Sequence, residues 1–171
     1  QGFTPPPDFY CHEFKQLGVK TIVRTNDTRY DKREFTRAGF KHHDLVFPDG
    51  TPPPEAAAKT FLRIAETSPG SIGVHCKAGL GRTGSLILMY VMKHYRFTAK
   101  EAIGYLRWMR PGSIIGPQQQ WLSMNEQMLW KMGVAEGEAD GAILAYPASF
   151  FTEFSPVTAR DMINRLPGFS L

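Results

Sequence analysis

The sequence HCKAGLGRTG at residues 75–84 lies between a short apolar stretch, residues 71–74, and a strongly apolar one, residues 86–92. This order predicts a strand that enters a helix through a glycine-rich turn. Cys76 stands at the end of the predicted strand, and Arg82 stands six positions later at the start of the predicted helix. Backbone N–H groups in such a turn can surround one dianion, because glycine allows close approach and a helix N-terminus carries unsatisfied donors. The segment therefore predicts a phosphate cradle.

Cys76 is the predicted nucleophile at the floor of this cradle. A thiol of ordinary pKa, about 8.5, is mostly protonated at neutral pH, but a helix N-terminus and nearby cations lower that pKa to roughly 3.5–7.5. Arg82 can bind two phosphate oxygens with its planar guanidinium, and the Thr83 hydroxyl can hydrogen-bond the sulfur. We expect the thiolate to attack phosphorus in line, and water to hydrolyse the cysteinyl-phosphate in a second step. The residues predicted to bind the phosphate are Lys77, Ala78, Gly79, Leu80, Gly81 and Arg82.

The ten-residue segment resembles the signature of the cysteine-dependent protein phosphatases. Two further stretches, MKHYR at 92–96 and RPGSIIGPQQQ at 110–120, narrow the resemblance to the cell-division-cycle-fourteen dual-specificity phosphatases, enzymes linked to mitotic exit. The resemblance runs from about residue 9 to residue 130 of this chain. It implies hydrolysis of phosphoserine, phosphothreonine or phosphotyrosine on a phosphoprotein substrate, with no metal and no other cofactor.

A second segment, Phe47-Pro48-Asp49-Gly50, resembles the Trp-Pro-Asp acid loop of the tyrosine phosphatases. Departure of a serine or tyrosine oxygen requires a proton, and Asp49 on a loop flanked by proline and glycine can deliver it. The competing carboxylate is Asp44, which lies within a predicted strand, so we favour Asp49. The family resemblance also implies that Gln118 positions the hydrolytic water, although an exposed glutamine at a helix start explains this residue equally well. We expect His75 to orient the loop through hydrogen bonds rather than to act as a base.

Strands alternate with helices along the chain, and this order predicts an α/β fold with a parallel-rich central sheet and helices on both faces. Such a fold is the three-layer architecture of the cysteine phosphatases. Thr98 and Glu101 form a predicted capping box, and Asp8 is a predicted N-cap. The predicted helices span residues 8–17, 30–38, 55–67, 82–92, 99–109 and 117–133, and the predicted strands span residues 19–24, 40–47 and 71–74.

Composition indicates one globular domain, with 42% hydrophobic and 21% charged residues among 171. The net charge of +4 indicates a solvated surface rather than a nucleic-acid site, and no apolar run reaches the length of a membrane helix. Two cysteines argue against a disulfide framework and for a reducing compartment, the cytoplasm or nucleus. Cys11 is predicted to be a packed core thiol, with a reversible disulfide to Cys76 as the alternative. Nothing in the sequence indicates an oligomeric state.

The predicted domain organisation divides the chain near residue 133. Residues 1–133 form the predicted phosphatase catalytic domain, and residues 134–171 form a linker and C-terminal arm of unknown role. The family carries a further N-terminal domain and strands that precede Phe9, and both are missing from this sequence. That domain forms much of the groove that selects phosphoserine followed by proline, so this preference is not carried over. We expect His42 and His43 to be packed or hydrogen-bonded rather than metal ligands.

Three alternatives to a protein phosphatase remain at this point. Lys77 resembles the lysine of the phosphoinositide phosphatases, which suggests a lipid or small-molecule substrate, but Leu80 stands where a second lysine would be expected. The second alternative is a non-catalytic phosphoprotein-binding module. The complete set of Cys76, Arg82 and Asp49 argues against it. A buried cysteine beside an accidental glycine loop is the third, and it requires the spacing, the glycines and the flanking elements to agree by chance.

Overall fold

A computed structural model describes residues 6–135 of the chain, with side chains at residues 6–133 except Asp8. The predicted linker and C-terminal arm therefore lie outside the described residues from residue 136 onward. In chain order the elements are α1 (Pro7–Gln16), β1 (Val19–Arg24), α2 (Arg33–Arg37), β2 (Lys41–Asp44), α3 (Glu55–Thr67), β3 (Ser71–His75), α4 (Gly81–Tyr95), α5 (Ala99–Met109) and α6 (Pro117–Ala135).

The three strands form a parallel sheet in the order β2-β1-β3. Val23 of β1 lies opposite His43 of β2 on one side and Val74 of β3 on the other. In a parallel sheet all strands end at the same edge, so the loops that follow β1, β2 and β3 converge there. This convergence places the predicted cradle, which follows β3, beside the predicted acid loop, which follows β2.

The two faces of the sheet bury separate clusters of side chains. Ile22 packs with residues of α1 and α2, whereas its neighbour Val23 packs with residues of α3, α4, α5 and α6. Successive side chains of a strand point to opposite faces, so helices cover both sides of β1. The predicted α/β fold with helices on both faces is confirmed.

The most buried helix is α4, which carries the strongly apolar stretch after the cradle. Leu86, Leu88 and Met92 are all at most 1% exposed, because α4 packs against β3, α3, α5 and α6. At its C-terminal end the Lys93 ammonium is also enclosed, and it binds Glu66 of α3 at 2.6 Å. The helix is thereby fixed along its whole length, and its N-terminus is held in place beneath the cradle.

The ends of several elements follow from their terminal residues. Thr98 accepts a hydrogen bond from the Glu101 amide at 3.3 Å and its own amide donates to the Glu101 carboxylate at 2.9 Å, which confirms the predicted capping box. Gly18, at φ +70°, ends α1 as predicted, because this left-handed conformation is unfavourable for other residues. The predicted N-cap at Asp8 is wrong: α1 begins at Pro7, whose fixed φ suits the first helical position.

Several element boundaries differ from the sequence prediction: α4 continues to Tyr95 and α6 passes Gly133 to reach Ala135, and two further differences shape the site. The helix predicted from residue 30 begins at Arg33, because the Tyr30 carbonyl accepts Arg24 Nη1 at 2.8 Å and the Arg33 amide bonds the Asp31 side chain at 2.9 Å. The strand predicted over 40–47 is confined to Lys41–Asp44. Its last predicted residues leave the sheet in a loop that approaches the cradle.

Candidate active site

Three loops meet at the carboxyl edge of the sheet and enclose a cavity of about 440 Å³. The loop after β1 contributes Asn26 and Arg29, the loop after β2 contributes Asp49, and the segment after β3 contributes Lys77 and Arg82. The described structure thus brings the predicted acid and the predicted cradle to one pocket. The lining carries both signs of charge, with cationic groups around the position that a phosphate would occupy.

Cys76 lies directly after β3 at the floor of the cradle and is 9% exposed. Burial by itself raises the pKa of the Cys76 thiol, but hydrogen bonds from the Thr83 side chain and from the Thr83, Gly79 and Leu80 amides outweigh it, so the pKa lies below its ordinary value. The Gly79 amide donates to Sγ at 3.1 Å, and Gly79 reaches this position at φ +67°. The turn therefore stabilises a thiolate, as the nucleophile requires.

Thr83 supports the sulfur from the first turn of α4. Its side chain contributes to the lowered pKa of Cys76, yet its hydroxyl oxygen has no hydrogen bond of good geometry among residues 6–133. The two observations agree if the hydroxyl lies near the sulfur but is imperfectly aligned. The predicted role of Thr83 stays a prediction.

Arg82 is held rigidly by the other two loops. Its side chain is 5% exposed, and Nη1 donates to the carbonyls of Phe47 at 3.1 Å and Thr25 at 3.2 Å. Its Nε lies 3.2 Å from Asp49 Oδ1, close enough for an ion pair but without hydrogen-bond geometry to any described residue. A buried guanidinium N–H without a partner is costly, and an oxyanion in the cradle would satisfy it.

The two candidate acids occupy different surroundings. Asp49 has a side chain that is 70% exposed and stands at the cavity beside Arg82. Asp44 instead binds Arg24 Nε at 2.7 Å at the end of β2. Gly50, at φ +73°, shapes the tight turn that carries Asp49, and its amide donates to Asp49 Oδ1 at 3.1 Å. The structure brings Asp49 to the cradle and leaves Asp44 in an ion pair.

Gln118 lies at the start of α6, and its side chain is completely buried. The expectation of an exposed helix-start glutamine is therefore wrong. Its Nε2 donates to the Thr51 carbonyl at 3.2 Å, and its Oε1 accepts from the Ile115 amide at 3.4 Å. A Cβ placed on Gly81 would meet Nε2 and Oε1 at 2.7 Å, so the amide packs directly on the cradle. Whether it positions water stays a prediction.

Tyr30 joins His75 and His42 in one hydrogen-bonded group, and no sequence pattern predicts this part for Tyr30. The Tyr30 hydroxyl lies 2.7 Å from His75 Nε2 and 2.8 Å from His42 Nε2, and His75 Nδ1 lies 3.4 Å from the Cys76 carbonyl. These residues belong to separate elements and meet only through the register of the sheet. His75 contacts the loop through hydrogen bonds, as expected, and His42 is packed and hydrogen-bonded; among the described residues no cluster suits a metal.

The protonation states of Tyr30, His42 and His75, taken with their contacts, define the direction of the hydrogen bonds among them. Burial lowers the pKa of His42 to about 4 and lowers that of His75, so both rings are neutral at pH 7, while burial raises the pKa of Tyr30 to about 12. One arrangement pairs every contact: His75 Nδ1–H donates to Cys76, Tyr30 donates to His75 Nε2, and His42 Nε2–H donates to Tyr30. His42 Nδ1 is then a buried acceptor with no donor among the described residues.

Arg110 braces the cradle from the end of α5, and the sequence reasoning did not assign it. Its Nη2 donates to the Ala78 carbonyl at 2.8 Å, and a Cβ on Gly79 would approach Nη2 to 3.1 Å. Arg110 lies in the stretch that narrowed the family resemblance, so the signal was present but pointed to a family rather than to a contact. Lys77 is exposed and lines the cavity.

Residues 12–128 match the sequence model of the catalytic domain of the dual specificity phosphatases. The chain belongs to this family. It is 57% identical over 127 residues to mouse dual specificity protein phosphatase CDC14B, an alignment that covers 74% of this chain and 26% of that protein. It is 43% identical over 150 residues to tyrosine-protein phosphatase CDC14 of Saccharomyces cerevisiae, and this alignment covers 82% of the present chain and 27% of the yeast protein. The suspected likeness to the cell-division-cycle-fourteen branch of the dual specificity phosphatases is confirmed.

A solved structure gives the same dual-specificity and tyrosine phosphatase fold. A putative protein tyrosine phosphatase from Leishmania major superposes with a TM-score of 0.60 at 30% identity, covering 70% of this chain and 82% of that one. The present chain spans about a quarter of the length of the curated CDC14 relatives. None of the helices between residues 6 and 135 is long and apolar enough to cross a membrane.

Proposed function

We propose that this chain is the catalytic part of a dual-specificity phosphoprotein phosphatase that acts on phosphoserine, phosphothreonine or phosphotyrosine through a cysteinyl-phosphate. The observation that carries the proposal is that one turn holds both a thiol of lowered pKa, Cys76, and the buried guanidinium of Arg82, whose Nε makes no hydrogen bond to the described residues and stands beside Asp49 at the cavity. A nucleophile and an oxyanion donor on the same rigid turn are the requirements for in-line attack on a phosphate monoester.

In the first step the phosphate dianion enters the cradle and binds the backbone amides of residues 77–82 and the Arg82 guanidinium. Its oxygens compete with Asp49 for Arg82 Nε, which releases the Asp49 carboxyl to approach the leaving oxygen. The Cys76 thiolate attacks phosphorus, the P–O bond to the substrate breaks, and protonated Asp49 gives its proton to the departing hydroxyl. Arg82 stabilises the charge on the equatorial oxygens in the transition state.

In the second step water attacks the cysteinyl-phosphate. The Asp49 carboxylate accepts a proton from that water, the S–P bond breaks, and inorganic phosphate leaves the cradle. The Thr83 hydroxyl donates a hydrogen bond to the sulfur as negative charge develops there, and it keeps its proton. The thiolate returns to the state that the Gly79 amide already stabilises in the free protein.

We assign residues 1–133 to the catalytic domain and residues 134–171 to a separate arm, since the family match ends at residue 128. The cytoplasm or nucleus suits the enzyme, because the chemistry requires Cys76 to stay a reduced thiol. The expected partner is a phosphorylated protein that presents its phosphate to the cradle.

The test compares wild type with Cys76→Ser on an aryl phosphate, a phosphoserine-proline peptide and a phosphoinositide. We expect wild type to hydrolyse the aryl phosphate and the peptide, and Cys76→Ser to bind the peptide without turnover. Faster hydrolysis of the phosphoinositide than of the peptide would transfer the assignment to lipid phosphatases. Peptide binding with no turnover by wild type would identify a binding module instead.

A further inference from the structure

The Gln118 amide lies between the two loops that carry the proposed nucleophile and the proposed acid. On one side it packs on Gly81, where a Cβ would come within 2.7 Å of both Nε2 and Oε1. On the other side its Nε2 donates to the carbonyl of Thr51, two residues after Asp49. The side chain is fully enclosed, so water does not compete for either contact.

The loop that carries Asp49 has few attachments to the rest of the protein. Its internal bonds, from the Thr51 hydroxyl to the Pro48 carbonyl at 2.8 Å and from the Gly50 amide to Asp49, shape the turn but do not anchor it. Among the described residues, side-chain hydrogen bonds fasten the loop at its two ends, where Arg82 binds the Phe47 carbonyl and Gln118 binds the Thr51 carbonyl. Gln118 therefore controls the end of the turn that follows Asp49.

The segment before Gln118 is itself held in an unfavourable conformation. Ile114 has φ +57°, a left-handed backbone that β-branched residues rarely adopt, and it is completely buried. Arg107 fixes this conformation by donating to the Ile114 carbonyl at 2.6 Å and to the Ser113 carbonyl at 3.0 Å. Strain of this kind persists only where surrounding contacts impose it, and here the result is a defined position for Gln118.

We propose that Gln118 is a positioning residue that fastens the Asp49 loop to the cradle, so that the acid is in place when the P–O bond breaks. The proposal rests on the proposed phosphatase function. It differs from the expectation that Gln118 only positions water, because a fastening acts on the first step and a water contact acts on the second. The two roles therefore change different kinetic parameters.

The variants are Gln118→Met, which retains the volume but removes the donor, and Gln118→Glu, which retains the shape and puts an acceptor against the Thr51 carbonyl. Gln120→Ala is the matched control, because Gln120 is an exposed glutamine on the same helix. For an alkyl phosphate, whose oxygen leaves poorly, we expect both Gln118 variants to lower kcat/KM about tenfold, part of the roughly hundredfold or larger contribution of a positioned general acid. An activated aryl phosphate, which needs no proton, should be affected less than the alkyl phosphate.

A double variant separates positioning from general damage. In an Asp49→Asn background the proposal requires that Gln118→Met cause no further loss of kcat/KM, because the acid is already absent. Full additivity of the two losses would overturn the proposal. A fall in kcat alone, with kcat/KM unchanged for both substrates, would assign Gln118 to the water step and also overturn it.

Hydrogen–deuterium exchange gives a readout independent of activity. We expect faster amide exchange at the non-proline residues between 45 and 51 in both Gln118 variants than in wild type and Gln120→Ala, with exchange in α4 unchanged. Unchanged exchange in this segment would contradict the fastening. If wild type fails to hydrolyse any phosphate, the proposed function fails, and the exchange experiment still decides whether Gln118 holds the loop.

Discussion

At the scale of single residues, the Cys76 environment determines the state of the nucleophile. The pKa of its thiol lies below the ordinary value in spite of burial, because amides of the cradle and Thr83 stabilise the thiolate. We predict that the rate of alkylation of Cys76 by iodoacetamide has its pH midpoint below that of a free cysteine. Thr83→Ala removes one stabilising group, so the pKa rises and the midpoint moves to higher pH. An unchanged midpoint would show that Thr83 does not act on the sulfur.

The Tyr30 hydroxyl provides a second prediction at this scale. Tyr30→Phe leaves ring nitrogens of His42 and His75 without their partner, and we expect it to lower the free energy of unfolding by about 1–3 kcal/mol. The control is Tyr105→Phe, because the Tyr105 hydroxyl is buried with no hydrogen bond among the described residues. Urea denaturation should show a loss for Tyr30→Phe and none for Tyr105→Phe. Equal changes in the free energy of unfolding for the two variants would mean that the hydrogen bonds of Tyr30 make no net contribution to stability.

The residues that sequence reasoning identified differ systematically from those that it missed. Cys76 and Arg82 lie in one segment, so their spacing along the chain already defines their spacing in space. Tyr30, His42 and Arg110 reach the cradle only through sheet register and helix packing, which no local pattern encodes. Recovering those contacts required the packed structure.

At the scale of elements, the approach of α4 to its neighbours depends on a glycine. A Cβ on Gly84 would lie 2.8 Å from Ile114 Cδ1 and 2.9 Å from Leu106 Cδ2, whereas a Cβ on Gly104 in α5 would meet nothing within 4 Å. We predict that Gly84→Ala destabilises by about 1–3 kcal/mol through overpacking. Gly104→Ala should instead stabilise by about 1 kcal/mol, the helix preference of alanine over glycine.

The measurement for this pair is the urea midpoint of each variant against wild type. If the urea midpoint falls for Gly84→Ala and rises for Gly104→Ala, close packing rather than helix propensity is the constraint at residue 84. Stabilisation by both substitutions would mean that α5 and residue 114 retreat from α4 at little cost. Backbone relaxation of that kind would also move Gln118. The phosphatase activity of Gly84→Ala therefore reports whether that movement disturbs the active site.

The sequence pattern predicted the order and type of the helices and strands. It did not predict where some of them begin or end. Hydrophobic runs and the Thr98 capping box act locally, and they placed β1, α3 and α5 correctly. The starts of α1 and α2 and the length of β2 depended on other interactions: proline geometry, the bond between Arg24 and the Tyr30 carbonyl, and the departure of the acid loop toward Arg82. Tertiary contacts override local preference at such ends.

At the scale of the whole molecule, His42 makes stability depend on pH. Its side chain is enclosed, and burial lowers its pKa to about 4, below the usual value of about 6.5, so the unfolded chain binds a proton more readily than the folded one. The contribution of neutral His42 to the free energy of unfolding is fully present above about pH 6.5, and it is lost as the pH falls toward 4. The titratable and charged groups around the His42 ring are Tyr30, His75, Asp44, Arg24 and Lys32.

We therefore predict that the midpoint of urea denaturation falls between pH 7 and pH 5, and that His42→Gln reduces this dependence. Gln cannot be protonated, so the part of the slope that comes from residue 42 disappears. A slope identical in wild type and His42→Gln would assign the acid sensitivity to other groups. His75 titrates in the same direction because of its burial, and it accounts for part of the residual slope.

The contact between Gly81 and the Gln118 amide has a consequence for the divergence of this sequence over time. A side chain at position 81 would overlap the amide at 2.7 Å, so the two positions are not free to change independently. Alanine or serine at position 81 would displace the Gln118 amide from the Thr51 carbonyl and the Ile115 amide unless residue 118 were shorter. We therefore expect substitutions at positions 81 and 118 to depend on each other, with glycine favoured at position 81 while glutamine occupies position 118.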